Sequence, residues 1–190
     1  GTVYIGTTGA ADSLFETSDE GNVSALDAET GEMQWQLETS GVVGSPTYAD
    51  GTIYVGTTQG TLYALDAETG TVQWQKDVTR VYSSPTVADG RVYFGTAANK
   101  VLGSTAVYAL DADTGRTIWK HTERADFDAS PTVANGTVYI PEHGETLYAF
   151  DANTGQIQWT NTSNYMDSSP TVADGTVYQK TRYNRLYAFD

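Results

Sequence analysis

Leu62-Tyr63-Ala64-Leu65-Asp66-Ala67-Glu68-Thr69-Gly70-Thr71-Val72-Gln73-Trp74 decides the fold, because the chain writes it again and again. The phrase returns from Ala25 to Trp35, from Val107 to Trp119 and from Leu147 to Trp159, and a fifth copy runs Leu186-Tyr187-Ala188-Phe189-Asp190. Each of the four full copies holds a short apolar run, an Asp-Ala-Xaa-Thr-Gly turn and a second run ending in Trp, with no 3.6-residue period anywhere. That pattern predicts an antiparallel hairpin rather than a helix.

Upstream lies a Val-Tyr or Ile-Tyr pair, at Val3-Tyr4, Ile53-Tyr54, Val92-Tyr93, Val138-Tyr139 and Val177-Tyr178. Before that comes Ser45-Pro46-Thr47-Tyr48-Ala49-Asp50-Gly51, repeated at 84–90, 130–136 and 169–175. The spacing is 39 residues from Gly51 to Gly90 and from Gly136 to Gly175; it is 46 from Gly90 to Gly136 and 50 from Gly1 to Gly51, where insertions are expected. Four strand-like segments per period of about 40 residues are the signature of β-propeller blades. A β-sandwich is the alternative, but it has no need of near-identical units. The expectation is an all-β chain of four-stranded antiparallel blades, A to D, read as one domain over 1–190. Its units are a partial blade BCD at 1–38, full blades at 45–77, 84–121 and 130–161, and a partial blade ABC at 169–190. There are about five blades and 18 strands, the first and last blades incomplete.

The Ala-Leu-Asp-Ala-Glu-Thr-Gly-Xaa-Xaa-Xaa-Trp phrase resembles the tryptophan-docking motif of the quinoprotein alcohol dehydrogenase-like (PQQ-like) repeat family. It is also similar to the family's non-enzymatic outer-membrane assembly lipoprotein branch. The resemblance implies that Trp35, Trp74, Trp119 and Trp159 dock between blades. Burying an indole on the order of 200 Å² with a partner for its N–H suits such a contact. Asp27, Asp66, Asp111 and Asp151 read as turn residues accepting backbone N–H groups, with Gly31, Gly70, Gly115 and Gly155 at positive φ. Calcium ligation by the same Asp set is the other reading, disfavoured because calcium needs six to eight oxygens at one point.

Acidic residues number 24 against 10 Lys and Arg, giving a net charge of −14. Such a chain repels nucleic acid and anionic lipid. The acid is dispersed, so an acidic shell on a folded protein is expected. Its self-repulsion is relieved where salt shortens the Debye length to about 3 Å at 1 M. A halophilic, haloarchaeal-looking source is the expectation, and the thinness of Lys agrees with it. There is no Cys, hence no disulfide and no thiolate ligand. No apolar run approaches the roughly 18 residues of a membrane span. Gly1 opens directly on a strand-like segment, and whatever preceded it is expected to have been removed.

In an ABCD blade the A–B and C–D turns share one face, and the B–C and D–A connections share the other. The first face holds the short regular turns. The second collects the irregular residues and is where a partner is expected. It carries the insertion at 9–20 with Phe15, the insertion at 97–105, the hairpin around His143, and the candidate binding residues Tyr82, Phe127, Asp128, Tyr165, Asp167, Lys180, Arg182 and Arg185. The three cations beside Tyr183 and Tyr187 would receive a carboxylate, or be ordinary strand-edge charge. Asp128 and Asp167 occupy equivalent positions and would share a cation or form a solvated acidic rim.

His121 and His143 read as plain surface residues, without metal-ligand spacing or a nucleophile. No catalytic residue and no metal site is assigned. The quinone-dependent dehydrogenases of the family use more blades, a vicinal cysteine pair and a calcium cluster, none of which can be matched here. The expected function is therefore a non-catalytic, extracytoplasmic binding or scaffolding propeller without a cofactor, exported to the cell surface. Its partner would be a protein or other copies of the chain. Surface glycans are possible at Asn22, Asn135 and Asn161. Two alternatives stand beside it: a fragment of a PQQ- and calcium-dependent dehydrogenase, and a self-assembling subunit that closes open blade edges with neighbouring copies.

Overall fold

Asp50 and Gly51 both have positive φ, 46° and 81°, which is the backbone of a two-residue hairpin turn whose twist matches the flanking strands. The same pair of conformations recurs at Asp89-Gly90, Asn135-Gly136 and Asp174-Gly175. Each of these turns fixes the register of a strand A against a strand B, as in Ala49 opposite Thr52 and Thr47 opposite Tyr54. The computed structural model describes residues 1–9, 20–42, 44–98, 105–166 and 168–189. Phe15, most of the 97–105 insertion and Asp167 lie outside them.

The trace groups into two compact units, residues 1–85 and 86–190, where the sequence reading counts one domain. In the first, β1 (Thr2–Thr8), β2 (Gly21–Asp27) and β3 (Met33–Thr39) form a three-stranded sheet. A four-stranded sheet follows, of β4 (Thr47–Ala49), β5 (Thr52–Gly56), β6 (Thr61–Asp66) and β7 (Val72–Asp77).

The second unit opens with β8 (Thr86–Ala88), β9 (Arg91–Gly95), β10 (Thr105–Asp111) and β11 (Thr117–Glu123) in one sheet. The next sheet is β12 (Thr132–Ala134), β13 (Thr137–Pro141), β14 (Gly144–Asp151) and β15 (Ile157–Met166). The last has three strands, β16 (Thr171–Ala173), β17 (Thr176–Lys180) and β18 (Leu186–Phe189). Every neighbouring pair is antiparallel and sequential, so the described strands follow the BCD, three ABCD, ABC order. The chain is all-β, built of propeller blades. Among the described residues no helix is long and apolar enough to cross a membrane.

Strand C meets strand D with a small residue opposite each Trp: Ala25 faces Trp35, Ala64 faces Trp74, Ala109 faces Trp119 and Ala149 faces Trp159. The register then slips by one residue immediately after each Ala. A bulge there re-aims the end of strand D, and the small Ala leaves the sheet surface open for the indole to lean across. The core lies between sheets. In the first unit Val23, Ile53, Val55 and Leu65 are buried together, with Tyr4 and Trp35 packed against them. In the second, Tyr93, Val107 and Trp119 from one sheet meet Val138, Ile140 and Phe150 from the next.

Candidate functional site

The four Asp-Ala-Xaa-Thr-Gly turns share one hydrogen-bond scheme. Asp27 Oδ1 accepts from the Glu29 N–H at 2.9 Å, the Thr30 N–H at 2.8 Å and the Thr30 hydroxyl at 3.1 Å. Asp66 and Asp151 repeat all three contacts, and Asp111 accepts from the N–H and hydroxyl of Thr114. These bonds favour the ionised form and hold each carboxyl below the usual aspartate range. Gly31, Gly70, Gly115 and Gly155 close the turns at φ between 67° and 73°.

Two of the Trp reach from one sheet to the next by the same contact. The Trp35 indole N–H donates to the Ala67 carbonyl, and the Trp119 N–H donates to that of Ala152, both at 3.0 Å. Trp159 of β15 packs against Phe189 of β18, with ring centroids 6.2 Å apart. Trp74 packs against Tyr54 of its own sheet at 5.9 Å.

The candidate binding residues divide. Phe127 is not on a partner-facing surface: it is fully buried, and this corrects its place among the candidates. After β11 the chain crosses back over its own sheet, where the Phe127 N–H donates to the Thr96 carbonyl at 3.1 Å. A Cβ at Gly95 would stand 2.5 Å from the Phe127 Cβ, so the glycine makes room for the crossing. Val81 sits in the same way over Gly56, and its N–H donates to the Thr57 carbonyl at 3.0 Å. Tyr82, next to Val81, is half-buried and takes a 3.4 Å bond from Arg80.

The other described candidates, Asp128, Tyr165, Lys180, Arg182 and Arg185, lie on the second unit, where a ridge of contacts runs from Asp128 to Arg182. Asp128 Oδ2 lies 2.9 Å from His143 Nδ1, and the His143 ring meets the Tyr165 ring edge-on at 6.2 Å. The Tyr165 carbonyl in turn accepts from the Arg182 N–H at 2.9 Å. His143 is at the surface, its side chain 48% exposed, but it is not isolated: its backbone N–H donates to the Asp126 carbonyl and ties the β13–β14 hairpin to the crossing chain. Nor is His121, which lies 3.0 Å from Glu123 and stacks obliquely 4.9 Å from Phe150 on the adjacent sheet.

Burial pushes the Asp128 carboxyl above the usual aspartate value, with Asp126 adding to the effect and His143 opposing it. Its second oxygen, Oδ1, is buried without a hydrogen-bond partner among the described residues. Lys180, Arg182 and Arg185 are exposed, and among the described residues no carboxylate pairs with them. Tyr183 between them is 66% exposed.

Among the described residues no three His, Asp or Glu side chains converge as a metal site. Each turn aspartate commits its Oδ1 to donors of its own turn.

The family profile described as outer membrane protein assembly factor BamB matches residues 19–106 and again 103–190. The chain belongs to this family. BamB of Moraxella catarrhalis superposes with a TM-score of 0.74 at 26% identity, covering 90% of this chain and 56% of that one. This protein therefore spans little more than half of that BamB. The quinohemoprotein alcohol dehydrogenase ADHIIG of Pseudomonas putida HK5 shares the fold at TM-score 0.76 and 18% identity, over 90% of this chain and 39% of its own. The computationally designed protein Ika4 does so at 0.68 and 16%, over 79% of this chain and 91% of its own. No curated protein sequence matches the chain.

Proposed function

We propose that this BamB-like chain is a non-catalytic, extracytoplasmic binding module that works without a cofactor and takes an acidic segment of a protein partner on its cationic ridge. The observation that carries the reading is the exposure of Lys180, Arg182 and Arg185, unpaired among the described residues, on a chain of net charge −14. Cations on such a protein attract local acid while the rest of the surface repels it, which confines a carboxylate partner to one place. Arg182 and Arg185 add planar two-point recognition of carboxylates, and exposed Tyr183 and Tyr165 supply rigid contact area. The relatives' description as an outer membrane assembly factor supports an exported location. The acid excess supports a high-salt source.

Fluorescence anisotropy with a labelled polyglutamate peptide tests the site. The parent should bind, and the K180E/R182E/R185E variant should lose about tenfold or more in affinity, the loss shrinking as salt rises. Equal binding by both proteins would sink the assignment. Melting with and without PQQ and calcium tests the dehydrogenase-fragment reading, for which a shift in Tm is the required result.

A further inference from the structure

Three Asn-Xaa-Ser/Thr triplets occur in the chain, at 22–24, 135–137 and 161–163, and the fold separates them. Asn22 lies in β2, the central strand of its sheet, opposite Thr7 on one side and Glu38 on the other. Its side chain is half-buried, and Ala106, at the same position of β10, is 2% exposed. Asn161 follows Trp159 by two residues in β15 and so points to the same face of the strand. Its counterparts are Leu37, packed on the cluster that holds Ile53 and Val55, and His121, 4.9 Å from Phe150 of the next sheet. Asn161 and Trp159 together line the cleft toward Phe189 of β18. A bulky substituent at either asparagine would wedge a strand or hold two sheets apart.

Asn135 is placed differently. It is the first residue of the two-residue turn between β12 and β13, where Ala134 pairs with Thr137. Asn135 and Gly136 are both exposed, and a Cβ added at Gly136 meets nothing within 4 Å, so the space beyond the tip is open. The turn does not require asparagine. Asp50, Asp89 and Asp174 hold the same place at φ of 46°, 49° and 51°, against 51° at Asn135. Asp50-Gly51-Thr52 and Asp174-Gly175-Thr176 lack only the side-chain amide that would make them acceptors. The exchange of a carboxylate for an amide thus changes the chemistry of one turn and leaves its backbone as it is in the others.

We propose that Asn135 is an N-glycosylation site, and that of the three triplets it alone carries a glycan in the folded protein. The reaction joins the Asn135 side-chain nitrogen to the anomeric carbon of a sugar held on a polyprenyl phosphate or diphosphate. The carbon–oxygen bond to the phosphate breaks, the phosphorylated lipid leaves with the bonding electrons, and one amide proton passes to a base of the transferase. Thr137 is 7% exposed and its hydroxyl donates to Gln158 Oε1 at 3.0 Å, so the triplet is read before the hairpin closes. Closure then buries Thr137 and leaves the sugar in solvent, as a bulky surface modification requires. The tip shares its face with the Asp-Ala-Xaa-Thr-Gly turn of its own sheet, whereas Arg182 lies in the β17–β18 connection on the other face. The glycan therefore leaves the cationic ridge uncovered. The proposal rests on the exported location proposed above and not on the ridge.

The test is secretion of the full chain, behind a cleavable signal peptide, from a eukaryotic host that glycosylates its exported proteins, with peptide mass spectrometry of the folded product. Because the host supplies the signal, failure here is failure of the site and not of the native location. Asn135 should carry glycan about tenfold more often than Asn22 or Asn161. Asn135→Asp, which restores the residue of the sister turns, should abolish the modification and keep the Tm of the enzymatically deglycosylated parent. Unmodified Asn135 in the folded, secreted chain would overturn the site. Occupancy at Asn22 or Asn161 equal to that at Asn135 would overturn the selection by the fold.

Discussion

The Trp119 indole N–H and the Ala152 carbonyl, 33 positions apart in sequence, are joined by a 3.0 Å hydrogen bond that stitches β11 to the turn after β14. Tyr93 donates to the same carbonyl at 3.1 Å, so the oxygen keeps one partner if the indole is lost. Trp119→Phe should therefore cost only about 1–2 kcal/mol. Trp119→Ala, which also empties a buried site, should cost about 3–5 kcal/mol. Urea unfolding of the two variants measures the difference, and equal losses would mean the hydrogen bond dominates the packing.

Gly155 and Gly31 separate backbone strain from collision. Both have positive φ, 71° and 73°, so an Ala at either costs about 1 kcal/mol from the left-handed backbone. Only at Gly155 would the new Cβ meet an indole. Gly155→Ala should thus be less stable than Gly31→Ala by about 1–3 kcal/mol, and equal melting temperatures would refute the contact.

Phe127→Ala should unfold the protein more readily by about 3–5 kcal/mol, as expected for a large buried side chain. It should leave polyglutamate binding unchanged under conditions where the variant remains folded.

The two classes of aspartate have opposite pH signatures. Asp27, Asp66, Asp111 and Asp151 are held below their ordinary value of 3.8, so their stabilisation is fully present above that value and drains away as pH falls through the folded-state values. Asp128 is raised above 3.8. Its contribution is present below the unfolded value and is lost as pH rises through the folded one. Asp128→Asn should accordingly raise Tm relative to the parent at pH 7 and lose that advantage near pH 3. Asp66→Ala should lower Tm at pH 7, with the deficit narrowing in acid.

Net charge of −14 predicts a Tm that climbs by on the order of 5 °C or more between 0.1 and 1 M salt, as the Debye length falls from about 10 to about 3 Å. A Tm indifferent to salt would remove the case for a high-salt source.

Much of this is legible in the repeat. Strand order, the Asp-Gly turns and the Asp-Ala-Xaa-Thr-Gly turns all follow from local chemistry that each copy restates. Phe127 misleads because its loop position suggests exposure. The signal that corrects it is also a repeat: Gly6, Gly56 and Gly95 occupy the same position in successive strands B, and Val42, Val81 and Phe127 follow in the crossing chain that packs on them. The Asp128–His143 contact is different in kind. Asp128 has an equivalent at Asp167, but His143, 15 residues away from Asp128, sits in a hairpin that no other copy reproduces. No periodicity could have paired them.

The Trp contacts run in one direction, Trp35 to Ala67 and Trp119 to Ala152, each repeat offering a plug forward and a socket behind. A gene encoding such a chain can gain or lose a whole repeat by duplication or deletion, because the new neighbours already match. Repeat proteins whose units contact chiefly their neighbours tolerate changes of length that would ruin a core shared by the entire molecule. For this chain, the heritable unit is the segment from one socket to the next plug.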